Sequence, residues 1–126
     1  EAGLRTILNY GHTIAHGLET ASSYDQFLHG EAVSIGMMGA ASISQKLGLI
    51  SATAVDSQKA IFGKYGLPVE CQGIDVAKVL ESIQLDKKVK AGRVRWVLLE
   101  GIGRAVVKSD VPQELTYDVI SQLIRP

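Results

Sequence analysis

Five polar side chains near the start of this sequence, Arg5, Asn9, His12, His16 and Glu19, are spaced 4, 3, 4 and 3 residues apart. On a continuous helix that spacing lines them along one face. Solvated helix faces usually draw on Lys, Glu and Gln, whereas this one holds Arg, Asn and two of the chain's three histidines. Two imidazoles at i and i+4 can point at one ion, but His12-Thr13-Ile14-Ala15-His16 lacks the glutamate of the HExxH zinc motif. His29-Gly30-Glu31 heads a long apolar stretch. A corner there can bring a third imidazole beside the first helix, with Gly30 allowing close backbone approach. A catalytic zinc typically takes three protein ligands and keeps one position open. Glu19 and Glu31 are the available carboxylates, as ligands, as partners that fix imidazole tautomers, or as plain capping and surface groups. Arg5 and Asn9 beside the histidines suit a phosphorylated or carboxylated polyol, because Arg holds such anions bidentately and Asn both donates and accepts. Asp86-Lys87-Lys88 is a second cationic point, read as a charged loop between a helix and a hairpin.

The elements that position these groups are mostly helical. Leu4, Ile7, Ile14 and Leu18, with Gly11 between, follow one helical face over 4–18, and Gly11 implies a close backbone neighbour. Glu31 to Leu47 is apolar nearly all round, the pattern of a central buried helix. Ser51 is a good N-cap for a third helix that reaches about Tyr65 before Gly66 and Leu67-Pro68, and Asp75 caps a fourth through Leu85. The β-rich runs Val94–Leu99 and Ala105–Val107 flank Gly101-Ile102-Gly103 as a small hairpin, and Pro112–Ile124 closes as a helix. The predicted fold class is mainly α, a helical domain with a small antiparallel β-hairpin near the C-terminus.

With 126 residues, 46% of them hydrophobic, the chain is long enough for one packed domain, 1–126, with no linker or repeat inside it. Thirteen basic and thirteen acidic residues cancel, so no overall positive field draws in nucleic acid or anionic lipid. The single cysteine, Cys71, sits in no zinc or redox spacing and fits a reducing compartment. No apolar run approaches the about 18 residues of a membrane span, which makes a cytoplasmic location the expectation. Gly101-x-Gly103 is too short for a dinucleotide fingerprint, so no nucleotide site is legible. The chain opens on Glu1 and runs at once into a helical pattern with no loop or cap, as expected of a piece of a longer protein.

Three ordered motifs then converge on one family. Arg5-x-x-x-Asn9-Tyr10-Gly11-His12-Thr13-x-x-His16-x-x-Glu19, then His29-Gly30-Glu31-Ala32-Val33-x-Ile35-Gly36-Met37, then Asp86-Lys87-Lys88, closely resemble the C-terminal, mostly helical domain of 3-dehydroquinate synthase. Departures are modest: Ile14-Ala15 where the family often has Phe-Gly, Gly17 for Ala, and Tyr10 for Phe. None removes a polar role. The resemblance implies conversion of 3-deoxy-D-arabino-heptulosonate 7-phosphate to 3-dehydroquinate in the shikimate pathway, with NAD and a divalent metal, zinc or cobalt. The implied steps are alcohol oxidation, phosphate elimination, carbonyl reduction, ring opening and aldol closure.

It further implies that His12 and His29 are metal ligands, with a glutamate from an N-terminal NAD-binding domain as the third. His16, a ligand on the local HxxxH reading, moves to the catalytic proton-transfer and substrate-phosphate side. Arg5, Asn9 and one of Lys87 and Lys88, with Lys88 preferred, match substrate-binding positions. The NAD-binding domain is absent from this chain, which alone is expected to be inactive; the full-length protein is expected to be a homodimer. The alternatives are a sister sugar-phosphate cyclase such as 2-deoxy-scyllo-inosose synthase, a free-standing helical protein binding zinc through His12, His16 and His29, and a non-catalytic interaction module.

Overall fold

A computed structural model of the chain describes residues 9–22, 27–89, 94, 96–101, 104–109 and 111–125, with the backbone alone over 86–89. Helix α1 spans His12–Ala21, α2 His29–Lys46, α3 Ala52–Lys64, α4 Val76–Val89 and α5 Gln113–Leu123. The strands are β1 Cys71–Gln72, β2 Trp96–Leu99, β3 Ala105–Lys108 and β4 Ile124–Arg125. The mainly α class and the hairpin are as the sequence predicts.

The helix that carries His12 starts later than its periodicity implies. Gly11 has φ +83°, a left-handed conformation that no helix passes through. Asn9, Tyr10 and Gly11 therefore form a turn, closed by the His12 N–H on the Asn9 carbonyl at 3.1 Å. The remaining residues of the expected helix, including Leu4, Arg5 and Ile7, lie outside the described residues. From His12 onward the pattern holds, with Ile14, Ala15, Gly17 and Leu18 buried.

Helix α2 is the central element, packed against α1, α3, α5 and β2. Small residues permit this. A Cβ at Gly36 would overlap the Gly11 carbonyl oxygen, and one at Gly39 would fall 2.5 Å from Ile14 and 2.8 Å from Leu123. Two of the three serines of α2, Ser34 and Ser44, are satisfied within the structure. Ser34 donates to the Pro68 carbonyl. Ser44, fully buried, donates to the Ala40 carbonyl at 2.8 Å and accepts from the Leu99 N–H of β2 at 2.9 Å. Ser44→Ala is expected to cost about 1–3 kcal/mol in urea denaturation, because it strands a strand N–H that water cannot reach.

Helix caps follow their side chains. The Ala54 N–H donates to Ser51 Oγ at 3.2 Å, and the Ala77 N–H donates to Asp75 Oδ1 at 2.9 Å. Helix α4 runs on to Val89, so Asp86-Lys87-Lys88 is the end of a helix and not a loop. No Gly or Pro interrupts Leu85 to Val89, and cations suit a helix C-terminus.

Strands β2 and β3 pair antiparallel, Trp96 opposite Lys108 and Leu99 opposite Ala105, with Trp96 and Leu98 turned into the core. The sequence did not foretell the parallel pairing of β1 with β4, Cys71 opposite Ile124 and Gln72 opposite Arg125. It ends α5 at Leu123, and the Glu70–Arg125 ion pair flanks it. Burial pushes the Cys71 thiol up to about 11, an inert thiol. No helix among the described residues is long and apolar enough to cross a membrane.

Candidate metal and substrate site

The site forms where the N-terminus of α1, the last turn of α1 and the N-terminus of α2 meet. His12 is the first residue of α1 and His29 the first of α2. Their ring centroids are 5.7 Å apart, tilted by 36°. Residues 17 positions apart in the chain thus become neighbours because α1 and α2 pack closely along the contact of Gly11 with Gly36.

The two carboxylates that the sequence left undecided take different partners. Glu19 Oε2 and Oε1 lie 3.1 and 3.3 Å from His29 Nδ1. Glu31 Oε1 instead accepts from the Leu28 N–H at 2.8 Å, capping the first turn of α2. Gly30, expected to admit a close neighbour, has nothing within 4 Å of where a Cβ would stand.

Because α1 begins at His12, Asn9 is not on the helical face with the histidines; it is exposed on the turn that leads into it. His16 is exposed one helical turn beyond His12, on the same face, and Glu19 lies a further turn along. Arg5 lies outside the described residues. Lys87 and Lys88 stand in the last turn of α4, a helix packed on α1 where Val79 meets Gly17, and their side chains are outside what is described.

A residue pair that the sequence does not reveal holds the turn in place. The Tyr10 hydroxyl lies 2.9 Å from Gln58 Oε1 and 3.0 Å from the Met37 carbonyl, and Gln58 Nε2 donates to that same carbonyl at 3.2 Å. This network ties the segment between Asn9 and His12 to α2 and α3. Burial pushes the Tyr10 phenol up to about 12, against a smaller downward pull from the Gln58 hydrogen bond. It therefore remains a neutral donor. Gln58 is 48 residues from Tyr10, and no local spacing announces the pair.

His12 Nδ1 is buried with no hydrogen-bond partner among the described residues. An unsatisfied buried ring nitrogen costs about 1–3 kcal/mol. Two imidazoles side by side, one with Nδ1 held by a carboxylate and the other with Nδ1 unsatisfied, are a donor set that suits a divalent transition metal. Among the described residues no group of three or more His, Cys, Asp or Glu side chains could hold an ion. A three-ligand shell is therefore not completed by the described residues alone.

Fold and site together define a helical domain that offers paired imidazoles beside a polar surface. The chain belongs to the 3-dehydroquinate synthase C-terminal family, whose model matches residues 1–89. It is 43% identical over 127 residues to a 3-dehydroquinate synthase of Synechococcus sp., covering 100% of this chain and 34% of the relative. It is 46% identical to that of Crocosphaera subtropica, with coverage of 98% and 34%. The chain thus spans about a third of the length of the curated relatives it matches. In solved structures it resembles a 2-epi-5-epi-valiolone synthase from Streptomyces hygroscopicus subsp. jinggangensis with NAD+ and Zn2+ bound. That match has TM-score 0.80 and 25% identity, over 91% of this chain and 32% of that one. It also resembles a 2-deoxy-scyllo-inosose synthase complexed with carbaglucose-6-phosphate, NAD+ and Co2+, with TM-score 0.79, 27% identity and coverage of 92% and 34%.

Proposed function

We propose that this chain is the metal- and substrate-binding part of a 3-dehydroquinate synthase. The larger protein would convert 3-deoxy-D-arabino-heptulosonate 7-phosphate to 3-dehydroquinate and phosphate, a phosphate-lyase reaction of the shikimate pathway. The observation that carries this reading is the His12–His29 pair at 5.7 Å, set at the meeting of two helix starts. The choice of synthase over a sister cyclase is supported by 43% identity to the Synechococcus sp. 3-dehydroquinate synthase against 25% and 27% to the two cyclases.

In this reading His12 and His29 hold a divalent metal, zinc or cobalt, whose third protein ligand comes from the part of the enzyme outside this chain. A bound metal would supply polarisation of the substrate's hydroxyl and carbonyl oxygens, and NAD would supply a reversible hydride acceptor. This chain's own residues do the rest. Arg5 and a lysine of the Lys87-Lys88 pair bind the anionic groups of the sugar phosphate. Asn9, exposed on its turn, orients hydroxyls as both donor and acceptor. His16, a helical turn from His12, exchanges protons at the phosphate side of the substrate. An N-terminal domain supplies the NAD site, and the complete protein works in the cytoplasm as a homodimer.

The reading makes a direct prediction for the chain by itself. Supplied with NAD, zinc and 3-deoxy-D-arabino-heptulosonate 7-phosphate, it should release no phosphate above background. The full-length enzyme that carries it should turn the substrate over. Turnover by the isolated chain would sink the division of labour. A full-length enzyme that ignores this substrate and accepts another sugar phosphate would move the assignment to a sister cyclase.

A further inference from the structure

We infer that Glu19 is a positioning residue that holds His29 in the orientation and tautomer needed to bind metal. The inference rests on the reading of His29 as a ligand. An ionised carboxylate only accepts hydrogen bonds, so the 3.1 Å contact with Glu19 Oε2 places the proton on His29 Nδ1. The lone pair available for coordination is then on Nε2. His29 needs this help, because its side chain is 64% exposed and open space lies where a Cβ on the neighbouring Gly30 would stand. Left alone, such a ring would populate both tautomers and several rotamers. Glu19 is the fixed member of the pair, with 13% of its side chain exposed.

The position of Glu19 adds a second consequence. It stands on α1, seven residues beyond His12, so one helix carries both His12 and the group that holds His29. The orientation of the His29 ring is then tied to the same helix that carries His12. Glu31, nearer to His29 in sequence, is committed to capping the Leu28 N–H and cannot substitute.

The test is zinc affinity of the full-length enzyme, measured by competition with a fluorescent chelator. Glu19→Ala should weaken binding about 10- to 100-fold, the usual loss when a carboxylate behind a metal-bound histidine is removed. Glu19→Gln keeps an accepting Oε1 and should recover most of that loss, and Glu31→Gln should leave affinity unchanged. A merely structural Glu19 would not set the His29 tautomer, so 15N NMR of the metal-free wild-type enzyme supplies a readout that does not depend on any variant folding. The expected form carries its proton on Nδ1. A predominant Nε2–H form would overturn the inference, as would wild-type affinity in Glu19→Ala alongside its loss in His29→Ala. Wild-type affinity in His29→Ala would instead overturn the ligand reading, and the inference with it.

Discussion

Replacing His12 by alanine in the full-length enzyme is expected to lower kcat/KM at least about a thousandfold while the protein stays folded. Polarisation of substrate oxygens by a metal is worth several kcal/mol, and each 1.36 kcal/mol is about tenfold in rate. Losing one of two imidazoles leaves His29 as the chain's remaining proposed ligand, so metal affinity should collapse in parallel. Stability should change little. His12 is half-buried, its Nδ1 makes no hydrogen bond that truncation would break, and the apolar side of α1 through Ile14 and Leu18 is untouched. Steady-state kinetics, chelator competition and a urea titration of the same sample check the three expectations together. Undiminished zinc affinity would remove His12 from the metal site.

The largest expected effect on stability is at a residue with no polar group. Gly36→Ala should destabilise the fold by about 2 kcal/mol or more, although alanine is favoured over glycine in a helix by about 1 kcal/mol. The added methyl would overlap the Gly11 carbonyl oxygen and stand 3.0 Å from the Ala15 N atom. Both obstacles are backbone, so no side-chain rotation relieves them, and overpacking of this kind costs typically about 1–3 kcal/mol or more. Gly11 cannot retreat easily, because its left-handed turn is tied to α2 by the neighbouring Tyr10 hydroxyl on the Met37 carbonyl. The relief open to the structure is to part α1 from α2, which also separates His12 from His29. Urea denaturation and zinc affinity should therefore fall together in Gly36→Ala. A variant as stable as the wild type would show that the helices reseat without cost. Gly30→Ala, with open space around it, is the matched comparison and should leave stability unchanged or slightly raised.

The two glycines show why some of the site was legible and some was not. Gly11 in a helical pattern announced a close neighbour, and the neighbour exists. The same residue also fixes where α1 begins, because its role requires φ +83°, and periodicity carries no information about φ. Spacing alone therefore puts Arg5 to Glu19 on one continuous line, while the structure keeps His12, His16 and Glu19 on the helix and puts Asn9 on the turn before it. Likewise the Asp86-Lys87-Lys88 run looked like a loop because it is charged. Helix α4 continues through it because nothing in the run breaks a helix.

By itself the sequence determined what depends on local chemistry and on spacing along one element. Ser51 and Asp75 specified two helix starts, β-rich runs on either side of Gly101-Ile102-Gly103 specified the β2–β3 hairpin, and the apolar composition of α2 specified a buried centre. The three motifs were specific enough to place the chain in its family. Tertiary structure decided which groups separated in the chain become neighbours. Glu19 and Glu31 are equivalent as carboxylates near histidines; Glu31 caps the Leu28 N–H within its own helix start, and only the packing of α1 on α2 sends Glu19 to His29 Nδ1. Tyr10 with Gln58, and Cys71 with Ile124, are pairings of the same kind. Distances between elements are set by which small residues let backbones meet, and that selection is made in three dimensions, where a single Cβ at Gly36 would change the answer.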